Sequence, residues 1–175
     1  NQLDATVYLG RAYRFGWWGI AKDEARSTAL LRKASEAGNT TATTLYAAAL
    51  IQGLGVAADV PRGTAMLKDL SDRGITEAQM EYARYLSFGI AGVPKDEAAG
   101  TALYRKVAEL GDANAQYGVC LALLGGRGVP RDEAAAARWC DAAARQGDEW
   151  SQLKLGDLYR TGTGVPRMRG NAYYW

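Results

Sequence analysis

Residues 136–166 read "AARWCDAAARQGDEWSQLKLGDLYRTGTGVP", an alanine-rich run that ends in glycine, followed by a second run that ends in a glycine-rich turn. Large, small and large residues at i, i+1 and i+4, here Leu155, Gly156 and Tyr159, form one stripe on a helix, and the small residue lets a neighbouring helix approach. Glycine tolerates the positive φ that often follows the end of a helix. The stretch therefore predicts two packed helices, each followed by a glycine turn.

The glycine that ends the alanine-rich run recurs along the chain at a nearly constant interval. The equivalent residues are Gly38, Gly74, Gly111 and Gly147, at intervals of 36, 37 and 36 residues. A fixed period of this length indicates a repeat array, in which each repeat buries its apolar face against the next. We predict one all-α domain over residues 1–175, a right-handed superhelix (solenoid) of helical pairs without β-sheet. The predicted repeats are 2–38, 39–74, 75–111, 112–147 and the incomplete 148–175.

Aspartates predict where the second helix of a repeat begins. Asp23, Asp96 and Asp132 each precede a glutamate and an alanine-rich run, which is the arrangement of an N-cap. The glycines of "GLGV" (53–56) and "GGRGV" (125–129) lie between two predicted helices and follow no strand. We therefore interpret them as turns and not as phosphate-binding loops.

The same residues match a known repeat. The chain resembles the Sel1-like repeat family, a relative of the tetratricopeptide repeat, whose pattern is A-x3-L-G-x2-Y-x2-G-x-G-V followed by A-x2-W-x3-A-A-x2-G. Residues 151–166 fit the first half, residues 136–147 fit the second, and "NAYYW" at 171–175 matches the start of a last second helix. The resemblance implies an adaptor in protein complexes, as many such proteins are in bacterial envelopes or secretion pathways.

Composition argues against catalysis and metal binding. The 175 residues include no histidine, the commonest general base and metal ligand, and only two cysteines. The formal charge of +2 is too small to predict nucleic-acid binding, and no apolar run is long enough to span a bilayer. We predict a protein without enzymatic activity, cofactor or metal, whose partner is another protein.

The two cysteines are predicted to lie close together. Cys120 takes the small-residue position of a first helix, and Cys140 lies on the side of the next helix that faces it. A disulfide and a pair of free thiols both fit this placement, and we expect free thiols, because cysteine also acts as a small apolar core residue. The cellular compartment therefore stays open, with the periplasm or envelope favoured by the resemblance over the cytoplasm.

"GWWGIAK" (16–22) sets two tryptophans side by side in a turn. Aligned with "GIAGVPK" (89–95), Trp17 falls opposite Ile90 and Trp18 falls opposite a plain alanine. We expect one tryptophan to pack over its own hairpin as Ile90 would, and Trp18 to be the more exposed. The alternative is that both contact a partner, and exposed rings of this kind would also suit stacking on a sugar.

Helical periodicity predicts a binding surface on the side of each first helix that lies opposite its buried stripe. In a superhelix these sides line the concave face. Either curvature buries them against neighbouring first helices, or they form a groove for an apolar segment of a partner, with Arg84 and Arg160 binding its acidic or carbonyl groups. The predicted partner-binding residues are Arg11, Phe15, Ile51, Met80, Arg84, Phe88, Tyr117, Leu121, Leu124, Trp150, Leu153 and Arg160, with Trp17 and Trp18 as a possible loop contact.

These observations favour a non-enzymatic scaffold that binds a partner protein, in the bacterial envelope or a secretion pathway. One alternative is an immunity protein, an inhibitor that neutralises a secreted toxin. Another is a scaffold of polysaccharide export, in which a polysaccharide would be a weaker candidate partner.

Overall fold

The computed structural model describes residues 2–168 and residue 170, which form nine α-helices and two short 3₁₀ helices without a β-strand. The prediction of an all-α chain is therefore confirmed, and the predicted helix start in "NAYYW" (171–175) lies outside the described residues. The helices are α1 (Gln2–Phe15), α2 (Glu24–Glu36), α3 (Thr40–Gln52), α4 (Val60–Asp72), α5 (Thr76–Phe88), α6 (Glu97–Glu109), α7 (Ala113–Gly125), α8 (Glu133–Ala144) and α9 (Glu149–Thr161), with 3₁₀ turns at Trp17–Gly19 and Ile90–Gly92.

The chain divides into two compact units. Unit 1 comprises Asn1–Tyr85 and Gly89–Pro94, and unit 2 comprises Leu86–Phe88 and Lys95–Trp175. Unit 1 thus holds α1 to α4 and most of α5, whereas unit 2 holds the last residues of α5 and all of α6 to α9. Within each unit, consecutive helices pack against one another as pairs.

Aspartate side chains begin the second helix of each pair. Oδ1 of Asp23, Asp96 and Asp132 accepts a hydrogen bond from the backbone N–H three residues later, at 2.8 to 2.9 Å. These predicted N-caps are confirmed, and each satisfies an N–H group that the first turn of a helix leaves without a partner. Asp59 caps α4 in the same way at 3.1 Å, although no glutamate follows it in the sequence.

The four glycines that mark the repeat period adopt the conformation predicted for them. Gly38, Gly74, Gly111 and Gly147 follow the ends of the second helices with φ between 81° and 97°. A Cβ added at any of them would meet nothing within 4 Å. The backbone angle alone, and not crowding, therefore favours glycine at these positions.

Glycine is required for a different reason at the second glycine of the short turns that follow α3, α7 and α9, which are GLG (53–55), GRG (126–128) and GTG (162–164). A Cβ added to Gly55 would lie 2.2 Å from the carbonyl oxygen of Glu24, in the first turn of the second helix of the preceding repeat. Only glycine allows the turn to pack so closely on that backbone, so these turns join repeats, as helix-flanked turns and not phosphate loops. In unit 2, Gly128 and Gly164 approach Glu97 and Glu133 to 2.2 and 2.0 Å by the same measure.

The structure corrects the expected free thiols. Cys120 and Cys140 form a disulfide that joins α7 to α8, with their Cα atoms 5.5 Å apart. The predicted proximity is confirmed, and the predicted free thiols are wrong. Both side chains are fully buried on facing sides of the two helices, and this Cα separation is typical of a bonded pair.

Candidate binding surfaces

In unit 2, α7 carries a half-buried apolar face formed by Tyr117, Leu121 and Leu124, here called the α7 face. The helix begins at Asp112, whose side chain accepts a hydrogen bond from the Ala115 N–H. Spacings of four and three residues place the three side chains on one side of the helix. The buried residues of α7 lie on another side, where the disulfide holds this helix to α8. The α7 face therefore has a rigid support.

Charged and aromatic groups border the α7 face. Burial raises the pKa of Tyr117, the negative charge of Asp148 adds to this effect, and the positive charge of Arg127 opposes it. The Arg127 guanidinium also lies 5.7 Å from the centre of the Phe88 ring, which is about half exposed. A cation, a carboxylate and an aromatic ring thus accompany the apolar side chains of this face, and the Tyr117 hydroxyl stays neutral at physiological pH.

Two exposed apolar side chains follow on α9. Trp150 is 67% exposed and Leu153 is 62% exposed, and their spacing of three residues places them on one side of the helix. Leu153 lies six residues after Gly147, and Tyr117 lies six residues after Gly111, so the two side chains take the same repeat position in α9 and α7. Arg160 lies at the end of the same helix and forms an exposed ion pair with Asp157 at 3.0 Å. The predicted surface residues of unit 2 are therefore at least partly accessible.

In unit 1 the predicted surface residue of α3, which takes the repeat position of Leu124 in α7, is covered. Ile51 is only 2% exposed, and its Cγ1 would lie 2.7 Å from a Cβ added to Gly63 of α4. The prediction that Ile51 contacts a partner is therefore wrong, because its side chain is buried against the helix that pairs with α3. Arg11 on α1 and Met80 on α5 remain half-buried. This packing is against the second helix of the same repeat, whereas the predicted alternative was burial against neighbouring first helices.

Arg84 is held by its own helix. Its guanidinium makes two hydrogen bonds to the Glu81 carboxylate and lies 4.6 Å from the centre of the Tyr85 ring. The hydrogen bonds to Glu81 raise the pKa of Arg84, although partial burial opposes the rise. Tyr85 is fully buried and its hydroxyl accepts a hydrogen bond from Gln52. A partner would therefore share the Arg84 guanidinium with Glu81.

The tryptophan turn has the same backbone as the turn to which the sequence aligns it. Trp18 adopts a φ of 56° and Ala91 a φ of 55°, each between two glycines of positive φ. Trp18 is 74% exposed, as expected. The Trp17 ring stacks on Phe15 of its own hairpin, with ring centres 5.1 Å apart, yet it stays 42% exposed. Phe15 is also exposed, so the three rings form an aromatic cluster open to solvent.

The acidic residues at helix starts are engaged in structural contacts. The Asp23 carboxylate caps α2 and pairs with Arg26 at 3.2 Å, and Glu24 pairs with Lys22 at 2.8 Å. Over residues 2–168 and 170, no three or more acidic or cysteine side chains gather as a metal site would require. Within the same residues, no helix has both the length and the apolar character needed to cross a bilayer.

Pairs of similar helices, with an aspartate cap at the start of each second helix and glycine turns between helices, define a helical-repeat protein. The Sel1 repeat model matches residues 3–39, 76–112, 113–148 and 151–175, which is more than half of the chain. The protein therefore belongs to the Sel1 repeat family, and the predicted all-α helical-repeat superhelix is the fold class of that family. The family model leaves out residues 40–75, where α3 and α4 nonetheless form a capped pair of the same kind.

Solved structures with the same fold support this assignment. A Sel1 repeat protein from Oxalobacter formigenes is 26% identical with a TM-score of 0.85, over 99% of this chain and 70% of that one. The protective antigen c5321 of uropathogenic Escherichia coli, which displays an SLR fold, is 28% identical with a TM-score of 0.57, over 99% of this chain and 44% of its own. A Sel1 repeat protein from Klebsiella pneumoniae shares the fold at 20% identity with a TM-score of 0.59, over 89% of this chain and 77% of that one. No curated protein matches the chain significantly.

Membership of the family carries a general function. Sel1 repeat proteins generally mediate protein–protein interactions, and they are generally scaffolds without catalytic activity. Membership of the family therefore points to surfaces that a partner protein can cover.

Proposed function

We propose that this protein is a non-enzymatic scaffold that binds a partner protein through the first helices of unit 2. The observation that carries the proposal is the exposure of Trp150 and Leu153 beside each other on α9. Large apolar side chains gain little from contact with water, whereas tryptophan is among the residues in which interface energy is concentrated. The α7 face continues the same helical position into the preceding repeat.

The neighbouring charges define the kind of segment that this surface would accept. Tyr117 is partly desolvated before any partner binds, so covering it costs less than covering a fully solvated hydroxyl. Arg127 offers N–H groups next to the α7 face, and Arg160 would share its guanidinium between a partner and Asp157 at the end of α9. An apolar segment of a partner that carries an acidic side chain or free carbonyl groups satisfies both features.

The disulfide supports a location outside the reducing cytoplasm. Disulfides persist in secreted and periplasmic proteins and are rare in cytosolic ones. The bond between Cys120 and Cys140 therefore favours the bacterial periplasm or envelope as the compartment in which the protein meets its partner. The three structural relatives named above come from bacteria, which agrees with a bacterial source.

The test is site-specific crosslinking in cells of the organism from which the chain comes. A photo-crosslinking amino acid at position 150 is expected to give one dominant adduct, whose identity separates an envelope complex from a secreted toxin or an export machine. The matched control is position 110, because Leu110 is 75% exposed in the same unit but lies at the end of α6. Equal adducts at both positions would contradict the proposal.

Substitutions then measure the contribution of the surface. Trp150→Ala and Tyr117→Ala are each expected to weaken binding to the crosslinked partner by about 2 kcal/mol, as truncation of an interface anchor does. Leu110→Ala should leave the affinity unchanged. If both anchor variants keep the helical circular dichroism of the parent and bind with full affinity, the partner uses another surface.

A further inference from the structure

The exposure of Trp18 follows from the turn itself and not from its place in the first repeat. Ala91 has the same backbone conformation and is also exposed, although the helices of a preceding repeat lie beside its turn. A Cβ added to Gly92 would lie 3.7 Å from Val60 of α4, which shows how near that repeat is. A side chain at this position of the turn therefore points into solvent whether or not another repeat precedes it.

Packing does not explain why a tryptophan occupies this position. A bulky side chain at φ 56° is unfavourable, and the aligned turn forms the same backbone with alanine. The Trp18 ring makes an edge contact with Trp17, at 6.1 Å between ring centres and 64° between ring planes, which leaves most of its surface exposed. The fold therefore tolerates this residue and does not require it, which indicates a role in binding.

Positive charge lies next to the aromatic cluster. Residues 5–22 include Arg11, Arg14 and Lys22 and no acidic residue. The Lys22 ammonium is neutralised by Glu24, whereas neither Arg11 nor Arg14 forms an ion pair with a described residue. The Arg14 guanidinium lies 5.5 Å from the centre of the Phe15 ring. The cluster thus combines exposed aromatic rings with two cations for which residues 2–168 and 170 supply no ion-pair partner.

We propose that the aromatic cluster, Phe15, Trp17 and Trp18, docks unit 1 on the surface of an anionic lipid bilayer. Tryptophan rings are favoured at the headgroup level, where the apolar body and the indole N–H both find suitable surroundings. Arg11 and Arg14 add attraction to anionic headgroups. A sugar ligand is less favoured, because the nearest acidic groups in sequence, Asp23 and the glutamate after it, already serve as cap and ion-pair partners. This site is separate from the protein-binding surface proposed for unit 2.

The test is sedimentation with vesicles of phosphatidylcholine that contain phosphatidylglycerol, compared with vesicles of phosphatidylcholine alone. The decisive variant is Trp17→Ile with Trp18→Ala, which gives this turn the side chains of the turn at 90–91 and therefore keeps a backbone that the protein already forms. Its partitioning onto anionic vesicles is expected to fall by about tenfold or more relative to the parent chain. An absence of binding by the parent chain, or undiminished binding by the variant, would overturn the proposal.

A matched pair of phenylalanines locates the site. Phe15 and Phe88 each precede the first glycine of one of the two long turns, GWWG (16–19) and GIAG (89–92), and are 56% and 52% exposed. Phe15→Ala is expected to weaken vesicle binding severalfold, whereas Phe88→Ala should leave it unchanged. Equal losses in the two variants would show that nonspecific hydrophobic adsorption, and not the aromatic cluster, binds the protein to lipid. That result would overturn the assignment.

The charge requirement and the sugar alternative have their own measurements. Arg11→Gln with Arg14→Gln should abolish the preference for anionic over neutral vesicles, and an unchanged preference would overturn the role of the arginines. Affinity electrophoresis through gels containing soluble dextran tests the other ligand class. Retardation of the parent chain that the Trp17→Ile, Trp18→Ala variant abolishes, without vesicle binding, would replace the lipid proposal with a saccharide site.

Discussion

Units 1 and 2 solve the same packing problem in different ways. The disulfide of Cys120 and Cys140 joins the paired helices α7 and α8, and the residues at the same repeat positions in α3 and α4 are Ala47 and Leu67. All four side chains are fully buried. At this contact the first helix therefore carries a small residue, and the side chain of the second helix fills the space between the two helices. The covalent bond of unit 2 is an addition to that packing and not a condition for it.

The glycine turns, which both units share, are expected to contribute more to stability than the disulfide, which only unit 2 has. Gly55→Ala in unit 1 and Gly128→Ala in unit 2 are each expected to lower the free energy of unfolding by about 3 to 4 kcal/mol. The new methyl would adopt a left-handed backbone and also overlap a carbonyl group at 2.2 Å. Urea denaturation followed by circular dichroism measures the loss.

The control for these variants is Gly19→Ala in the tryptophan turn. Gly19 has a φ of 74°, but an added Cβ would meet nothing within 4 Å. This variant should therefore lose only the conformational part, about 1 kcal/mol. If Gly128→Ala costs no more than Gly19→Ala, the close approach of turn and helix between repeats is wrong.

The next largest effect on stability is expected from loss of the disulfide, which distinguishes unit 2 from unit 1. Under oxidising conditions Cys120→Ala is expected to destabilise the protein by about 3 kcal/mol, since the disulfide closes a loop across a sequence separation of 20 and restricts the unfolded chain. A reductant should lower the urea midpoint of the parent chain to near that of the variant. A midpoint of the parent that does not respond to reductant would contradict the presence of the bond.

A double variant tests whether packing alone can replace the bond. Cys120→Ala with Cys140→Leu gives unit 2 the side chains of Ala47 and Leu67. We expect this variant to be at least as stable as the reduced parent chain, because leucine fills the space that the sulfur atoms leave, and to be insensitive to reductant. Lower stability than the Cys120→Ala variant alone would show that α7 and α8 lie too close for a leucine, and the equivalence of the two units would fail.

The smallest effect concerns the two long turns. Ala91→Gly is expected to raise the free energy of unfolding by about 1 kcal/mol, because glycine adopts φ near 55° without strain. Thermal denaturation by circular dichroism measures the shift, with Ala58→Gly, at an exposed loop position without positive φ, as the control. A loss of stability in Ala91→Gly would mean that its methyl group makes a contact that its exposure does not reveal.

Some features followed directly from the residues because they are local. The caps at Asp23 and Asp96 and the positive φ of Gly38 depend on a few neighbouring backbone groups, which sequence spacing specifies. The alignment of the two long turns placed Trp18 opposite Ala91 for the same reason, since matching glycines impose matching backbones. The N-cap at Asp59 was not predicted from the sequence, because Val-Pro follows it where glutamate follows the other capping aspartates.

Other features were decided only by the tertiary structure. Sequence periodicity placed Ile51 and Leu153 on one kind of surface, but the first is buried against α4 and the second is exposed, because accessibility depends on which helices lie alongside. It brought Cys120 near Cys140 without stating that the sulfur atoms bond, since bonding depends on a separation of ångströms between two helices. The sequence by itself therefore determined the repeat, its helices and their ends, because these follow from local backbone preferences and a periodic apolar stripe. Only the packing of helix on helix decided the disulfide and the surfaces left free for a partner, because both depend on distances between residues far apart in the chain.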